Sequence, residues 1–385
     1  LYLFSPAISS FFKEPVLIEV TRVISWILII NALGIIPRTI FIINVDFKVQ
    51  TKASLISSLV SGIVGISMAL FGLGVWSLVG QQLSRQLLNT FFLWFYCRWR
   101  PAWEFSIESF KEMFGFGSKL LVSGLIDTIY KNIYYIVIGR FYDPDQLGQY
   151  TRAEQFKLIF SSNLTAVVQR VSYPVLSSIQ SEPVRLREAY RRVIKLTMIV
   201  TFACMLGLAA IAKPLIILLI GEKWLPAVPF LQIICFSGML YPLHAINLNI
   251  LQVKGRSDLY LKLEIIKKII AVITIFIGIF WGIECMLWGG VFVSFISFFL
   301  NSYYSADLID YSTKNQISDI FPFLIISLIV SFCIWLISFT EWSYIIILII
   351  QIIVGIGLYW FISEKLPMQE YQEVRQLVFS LFKKK

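Results

Sequence analysis

The chain has 385 residues and a formal net charge of +10, with 58% of its residues hydrophobic and 16% aromatic. Only 15% are charged, against about 25% in soluble domains, and the mean hydropathy is +0.78. These values exclude a soluble globular domain and point to a polytopic membrane protein. The positive charge gathers in alternate loops, as membrane orientation requires, and is not read as a nucleic-acid surface.

The chain opens on LYLFSPAISSFF, apolar and without Met or a basic n-region. It is not a signal peptide; the expectation is the end of a truncated helix whose N-terminal part is missing. Apolar runs of about 20 residues, the length that crosses a bilayer as helix, then predict about eleven complete spans. They lie near 20–44, 53–74, 76–97, 115–140, 148–178, 193–220, 226–252, 260–282, 284–306, 317–340 and 343–363. The ten-residue alternating strands of an outer-membrane barrel are not seen.

Two sets of loops alternate. DFKVQTK, CRWRPAWEFSIESFKEMF, SEPVRLREAYRRVIK, KGRSDLYLK and the tail ending FKKK hold most of the loop Lys and Arg, which assigns them to the cytoplasm. Within the longest, Trp103, Ile107, Phe110 and Phe114 recur at spacings of three and four, opposite Glu104, Glu108, Lys111 and Glu112. That pattern predicts an amphipathic surface helix over 98–114. The tail repeats it with Tyr371, Val374, Leu377, Val378 and Leu381 before Lys383 to Lys385, which predicts an interfacial helix on anionic lipid. No strong internal repeat is visible by eye.

No Walker A pattern, HExxH or GxSxG occurs, so no ATP site or familiar hydrolase is indicated. Cys97, Cys204, Cys235, Cys285 and Cys333 stand singly, with neither metal-ligand nor disulfide spacing. The expectation is no cofactor, no metal and no enzyme activity. Charge inside the spans is the informative signal, because a Lys or Asp at a helix centre costs roughly 2.5–3.5 kcal/mol. Lys119, Ser123, Asp127 and Lys131 recur at spacings of four, and the next span carries Arg152, Glu154, Lys157 and Arg170. The pair reads as the wall of a hydrated passage with a cationic excess, suited to an anionic cargo such as a pyrophosphate. Its alternative is ion pairing between Asp127 and Lys131 that fixes helix packing. Lys119, Asp127, Lys131, Arg152, Glu154 and Arg170 are the candidate cavity-lining residues; Arg85, His244 and Asn247 are candidates for coupling or further lining. Glu264 and Lys267, near a span end, are read as snorkelling, and Pro37, Pro174, Pro214 and Pro242 as kinks or hinges.

The order FGLGVWSLVGQQL (71–83), WRPAWEFS (99–106), FGFGSKLL (114–121), IYKNIYYIVIGRFY (129–142), LGQYTRAEQF (147–156), YPVLSSIQ (173–180), LLIGEKWLPAVPFLQI (218–233), YPLHAINLNIL (241–251) and KGRSDLYLKLEIIKK (254–268) resembles the bacterial polysaccharide flippases. The resemblance is to the Wzx-type, oligosaccharide-exporter branch of the MOP superfamily and covers nearly the whole chain. It implies an all-α, two-lobed membrane fold in the bacterial inner membrane with the C-terminus cytoplasmic. It also implies transport of undecaprenyl-diphosphate-linked oligosaccharide by alternating access, with membrane lipid and polysaccharide-assembly proteins as partners and no nucleic acid. On that plan 1–97 is the remainder of the N-terminal lobe and 98–114 a linker. Residues 115–306 form the C-terminal six-helix lobe, 317–363 two further helices and 364–385 a basic tail. The rivals are a multidrug or cation exporter of the same superfamily and a membrane enzyme of polysaccharide polymerisation, though short outer loops leave little room for the latter.

Overall fold

The computed structural model describes residues 1–44, 47–101, 105–365 and 371–372, and no strand occurs among them. The helices are α1 (Ser5–Phe12), α2 (Leu17–Ile43), α3 (Phe47–Leu70), α4 (Val75–Tyr96), α5 (Ile107–Lys131), α6 (Ile133–Phe141), α7 (Pro144–Ser178), α8 (Pro183–Ile220), α9 (Ala227–Gly238), α10 (Tyr241–Val253), α11 (Ser257–Trp281), α12 (Ile283–Ile309), α13 (Thr313–Leu336) and α14 (Tyr344–Lys365). Each expected span finds helix, which makes this a helical polytopic membrane protein. Two spans are interrupted: α5 gives way to α6 at Asn132, and α9 to α10 at Met239 and Leu240.

Among the described residues, seven helical segments are long and apolar enough to cross a membrane on composition alone, the α9–α10 pair counting as one. The long helices outside that group, α4, α5, α7 and α11, are those that carry the polar and charged stripes. Residues 107–114, expected in a separate surface helix, are the first turns of α5. Trp103 and Glu104 of that expectation lie outside the described residues, as do Val374 to Lys385 of the expected tail helix.

Contacts divide the chain into Leu1–Lys131 and Asn132–Lys385. In the first unit α4 packs on α2 and α3. Small residues let these helices approach, the usual glue where lipid removes the hydrophobic drive. A Cβ on Gly34 would stand 3.0 Å from Thr90 Oγ1, and one on Gly65 3.0 Å from Gln81 Cβ. The Gln86 amide donates to Asn31 Oδ1, Thr90 Oγ1 to the Ile30 carbonyl at 3.2 Å and Trp94 Nε1 to that of Leu33 at 2.8 Å. Among the described residues the buried apolar cluster here is small: Phe41, Ala53, Leu93 and Cys97.

The second unit is built round α8, against which α7, α9, α13 and α14 all pack. Tyr190, Ile194, Met198, Phe202 and Met205 of α8 are almost wholly buried. α8 has 38 residues, about 57 Å at 1.5 Å per residue, well beyond a hydrocarbon layer of about 30 Å. Its first turns, with Arg185, Arg187, Arg191, Arg192 and Lys195, are the part that must lie outside it. There Arg191 grips Asp319 of α13 with Nε and Nη2 at 2.5 and 2.6 Å. The Tyr311 hydroxyl donates to the same carboxylate at 2.7 Å. Burial, and then the Asp319 charge, push the Tyr311 phenol far above its ordinary range, which keeps it a proton donor. Beneath this clamp runs a chain of buried polar groups. Tyr190 donates to Asn247 Oδ1, Asn247 to Gln316 Oε1 at 3.2 Å, Gln316 to Ser305 Oγ at 2.8 Å, and Ser305 to the Tyr311 carbonyl at 3.0 Å. Partnering of this kind is what makes buried polar groups tolerable.

Candidate functional site at the break between α9 and α10

Pro242 causes the break. It has no N–H to give the carbonyl four residues back, which is that of Gly238, and its ring crowds the same group. The ladder resumes when His244 N bonds to the Leu240 carbonyl at 3.0 Å. An interrupted helix inside a bundle exposes backbone dipoles where hydrocarbon cannot solvate them, and such half-helices mark binding sites in transporters.

Polar and charged side chains gather at the break. Lys157 of α7 lays its stem across Gly238: a Cβ there would stand 3.1 Å from Lys157 Cγ and Cδ and 2.5 Å from Met205 Cε. This brings an ammonium to the C-terminal, electronegative end of α9. Lys157 pairs with Glu154 at 2.7 Å, their side chains only 17% and 13% exposed. Beyond the break, His244 Nε2 shares a hydrogen bond with Ser294 Oγ of α12 at 3.0 Å. Ser294 donates in turn to the Ser237 carbonyl at 3.3 Å, capping the end of α9. On α11, which packs on α10, Lys267 pairs with Glu264, at 13% and 28% exposure. Tyr150, one turn before Glu154, stacks on Tyr134 at 6.2 Å and meets Tyr135 edge-on at 5.3 Å. Among the described residues, Glu154 Oε2 and His244 Nδ1 are buried with no hydrogen-bond partner, and leaving such an atom unpaired costs about 1–3 kcal/mol.

Of the residues expected from sequence, Glu154 and His244 lie at this break. Asn247, one turn further along α10, is wholly buried in the Tyr190–Gln316 chain. Arg152 is exposed, bonded to Gln155 at 3.0 Å and placed over the Trp224 ring at 5.0 Å. Arg170 is exposed on α7. Lys131 ends α5 and Arg85 lies on α4, both exposed and both in the first unit. The side chains of Lys119 and Asp127 lie outside the described ones. Sequence reasoning missed Lys267 and Glu264 as partners in the bundle, and also Ser294 and Tyr150. The signal was present in the spacing, Glu-x-x-Lys, which recurs on α7 and α11. Among the described residues no group of His, Cys, Asp or Glu gathers the three ligands of a metal site.

Comparison with known proteins fits these observations. The chain is 27% identical over 330 residues to the teichuronic acid biosynthesis protein TuaB of Bacillus subtilis (strain 168), across 84% of this chain and 68% of TuaB. It is 27% identical over 180 residues to the lipopolysaccharide biosynthesis protein WzxC of Escherichia coli (strain K12), across 47% of this chain and 37% of WzxC. With the succinoglycan biosynthesis transport protein ExoT of Rhizobium meliloti (strain 1021) it shares 24% identity over 243 residues, 63% of this chain and 49% of ExoT. The chain thus spans about half the length of two of these relatives or less. Its fold is similar to that of the lipid II flippase MurJ in an inward closed conformation, with a TM-score of 0.75, 17% identity, and coverage of 94% of this chain and 78% of MurJ. The family model for polysaccharide biosynthesis proteins matches residues 1–229, more than half of the sequence, and the chain belongs to that family.

Proposed function

We propose that this chain is the greater part of a flippase that carries polyprenyl-diphosphate-linked oligosaccharide across the bacterial inner membrane by alternating access, with its C-terminus cytoplasmic. The observation that carries the reading is the broken α9–α10 helix with the Lys157 stem laid across the end of α9. A diphosphate headgroup needs cationic donors inside the bilayer, and ammonium groups supply charge-assisted hydrogen bonds. The Tyr134–Tyr150–Tyr135 cluster offers amphipathic rings, apolar in body and polar at the tip, of a kind that suits sugar faces. The names of ExoT and MurJ, a transport protein and a lipid flippase, support the same class of task. The lobe plan of 1–97, 98–114, 115–306 and 317–363, and the roles of Lys119, Asp127, Lys131, Arg152 and Arg170 in the passage, belong to this proposal. No ATP motif is present, so an ion gradient or consumption of cargo on the far side drives the cycle. Each charge moved through 100 mV supplies roughly 2.3 kcal/mol.

Deletion of the gene in its host tests the reading. A flippase defect leaves single lipid-linked repeat units in the cytoplasmic leaflet. Shortened polymer without that accumulation indicates a polymerising enzyme, and drug sensitivity with normal polysaccharide indicates an exporter of the same superfamily; either result overturns the proposal.

A further inference from the structure

Asn301 of α12 is wholly buried, and among the described residues neither its Nδ2 nor its Oδ1 finds a hydrogen-bond partner. An amide left dry in this way is costly. A cation would satisfy the oxygen and strand the N–H; a water molecule donates to the first and accepts from the second. Asn301 also stands in a row of polar residues. Ser294, Ser297, Asn301 and Ser305 follow one another at spacings of three and four, which puts them on one face of α12. Ser297 and Ser305 are buried as well.

Both ends of the row meet polar groups. At one end Ser294 Oγ shares its hydrogen bond with His244 Nε2 at 3.0 Å, and His244 Nδ1 is another buried atom without a partner among the described residues. At the other end Ser305 Oγ donates to the Tyr311 carbonyl at 3.0 Å, and the adjacent Ser302 Oγ lies 2.8 Å from Thr313 Oγ1. Tyr311 in turn lines a polar cavity of about 330 Å³ together with Arg191, Asp310, Asn315 and Asp319. The Asp310 side chain at its mouth is 92% exposed, so the cavity fills from solution. Each step along the row rises about 4.5–6 Å. A water with hydrogen bonds of about 2.8 Å on either side bridges about that distance.

We infer that α12 carries a file of bound water, centred on Asn301, that joins His244 at the helix break to the polar cavity at the turn between α12 and α13. The serine hydroxyls and the Asn301 amide hold the waters, and the waters satisfy the amide and the free imidazole nitrogen. Buried waters with several polar partners are integral to a fold and costly to remove. The file brings water from the solution to the break, beside the Glu154–Lys157 pair. Water there raises the local dielectric and lowers the cost of admitting a further charge. That role, easing a charged headgroup into the break, rests on the transport reading given above; the file itself does not.

The test uses the full-length protein in lipid nanodiscs, without cargo. A millisecond X-ray pulse makes hydroxyl radicals from water in place, and mass spectrometry reads which side chains they mark. Phe298, one turn before Asn301 and only 4% exposed, is marked in the unsubstituted protein. Asn301→Leu keeps the side-chain volume and removes both polar atoms. It lowers that marking at least roughly fivefold, because the waters lose their central partner. The same variant slows deuterium exchange at His244 Cε1, read in its own peptide, by a similar factor. Asn301→Ser, which leaves a hydroxyl and room for one more water, retains both signals. An unmarked Phe298 in the unsubstituted protein overturns the proposal, as does equal marking in Asn301→Leu. A Tm that rises in Asn301→Leu with His244 exchange unchanged shows a dry amide and overturns it too. Loss of marking at Phe298 with unchanged exchange at His244 does the same, since the file then stops short of the break. If the file behaves as described but gene deletion gives no lipid-linked intermediate, the cargo reading fails and the water site stands.

Discussion

The Leu1–Lys131 and Asn132–Lys385 units hold polar groups in hydrocarbon by different means. The first uses neutral donors across closely approaching helices, as in Gln86 to Asn31 and Trp94 to the Leu33 carbonyl. The second surrounds its polar groups with a large buried core along α8 and places the Glu154–Lys157 ion pair beside a helix break. Neutral pairs fix geometry cheaply. Charged pairs near a break cost more to bury and gain more when water reaches them, so they belong where the bundle opens. The contrast assigns a structural task to the first unit's polar contacts and a working task to those of the second.

Four substitutions sharpen that contrast, in order of expected loss. Gly278→Val has the largest effect. Its Cβ would meet Met286 backbone at 2.7 Å, which cannot move aside, and about 3 kcal/mol is lost; purified protein should show a sharply lowered Tm or fail to accumulate. Asn247→Leu strands the Tyr190 hydroxyl and one end of Gln316, both wholly buried, and costs about 2 kcal/mol in thermal unfolding in detergent. Gly238→Ala pushes on Met205 and the Lys157 stem. Both are flexible ends, so stability falls by only about 1 kcal/mol, while transport falls much further because Lys157 is displaced from the break. Gln86→Leu costs the least, about 0.6 kcal/mol, the average for a hydrogen bond between membrane helices, and leaves transport rates intact. A transport loss with Gln86→Leu as large as that with Gly238→Ala would erase the distinction between the units.

The helical scaffold was legible because a span needs about 20 apolar residues and little else. Pro242 was legible as a kink, since a missing N–H acts locally. The partners of the break were not. Lys267 lies near the end of α11, where a lysine ordinarily snorkels to water. Its pairing with Glu264 three residues back is a single-helix contact, but that the pair is largely buried follows from how α11 packs on α10 and α12, which no single-helix pattern contains. Ser294 and Tyr150 were hidden for a related reason: one serine or tyrosine in a span carries no signal until its neighbour across the bundle is known. Arg152 shows the reverse case. Its place in a polar stripe suggested a passage, and its ring contact with Trp224 is set by the loop between α8 and α9.

The most direct test of the central claim is transport of a fluorescent polyprenyl-diphosphate oligosaccharide by the full-length protein in proteoliposomes, with Lys157→Ala beside it. The parent protein moves the lipid between leaflets, and Lys157→Ala, folded and reconstituted to the same level, slows that movement at least roughly tenfold by removing a charge-assisted contact worth about 1.5–3 kcal/mol. Equal rates for the two proteins would contradict a working site at the α9–α10 break.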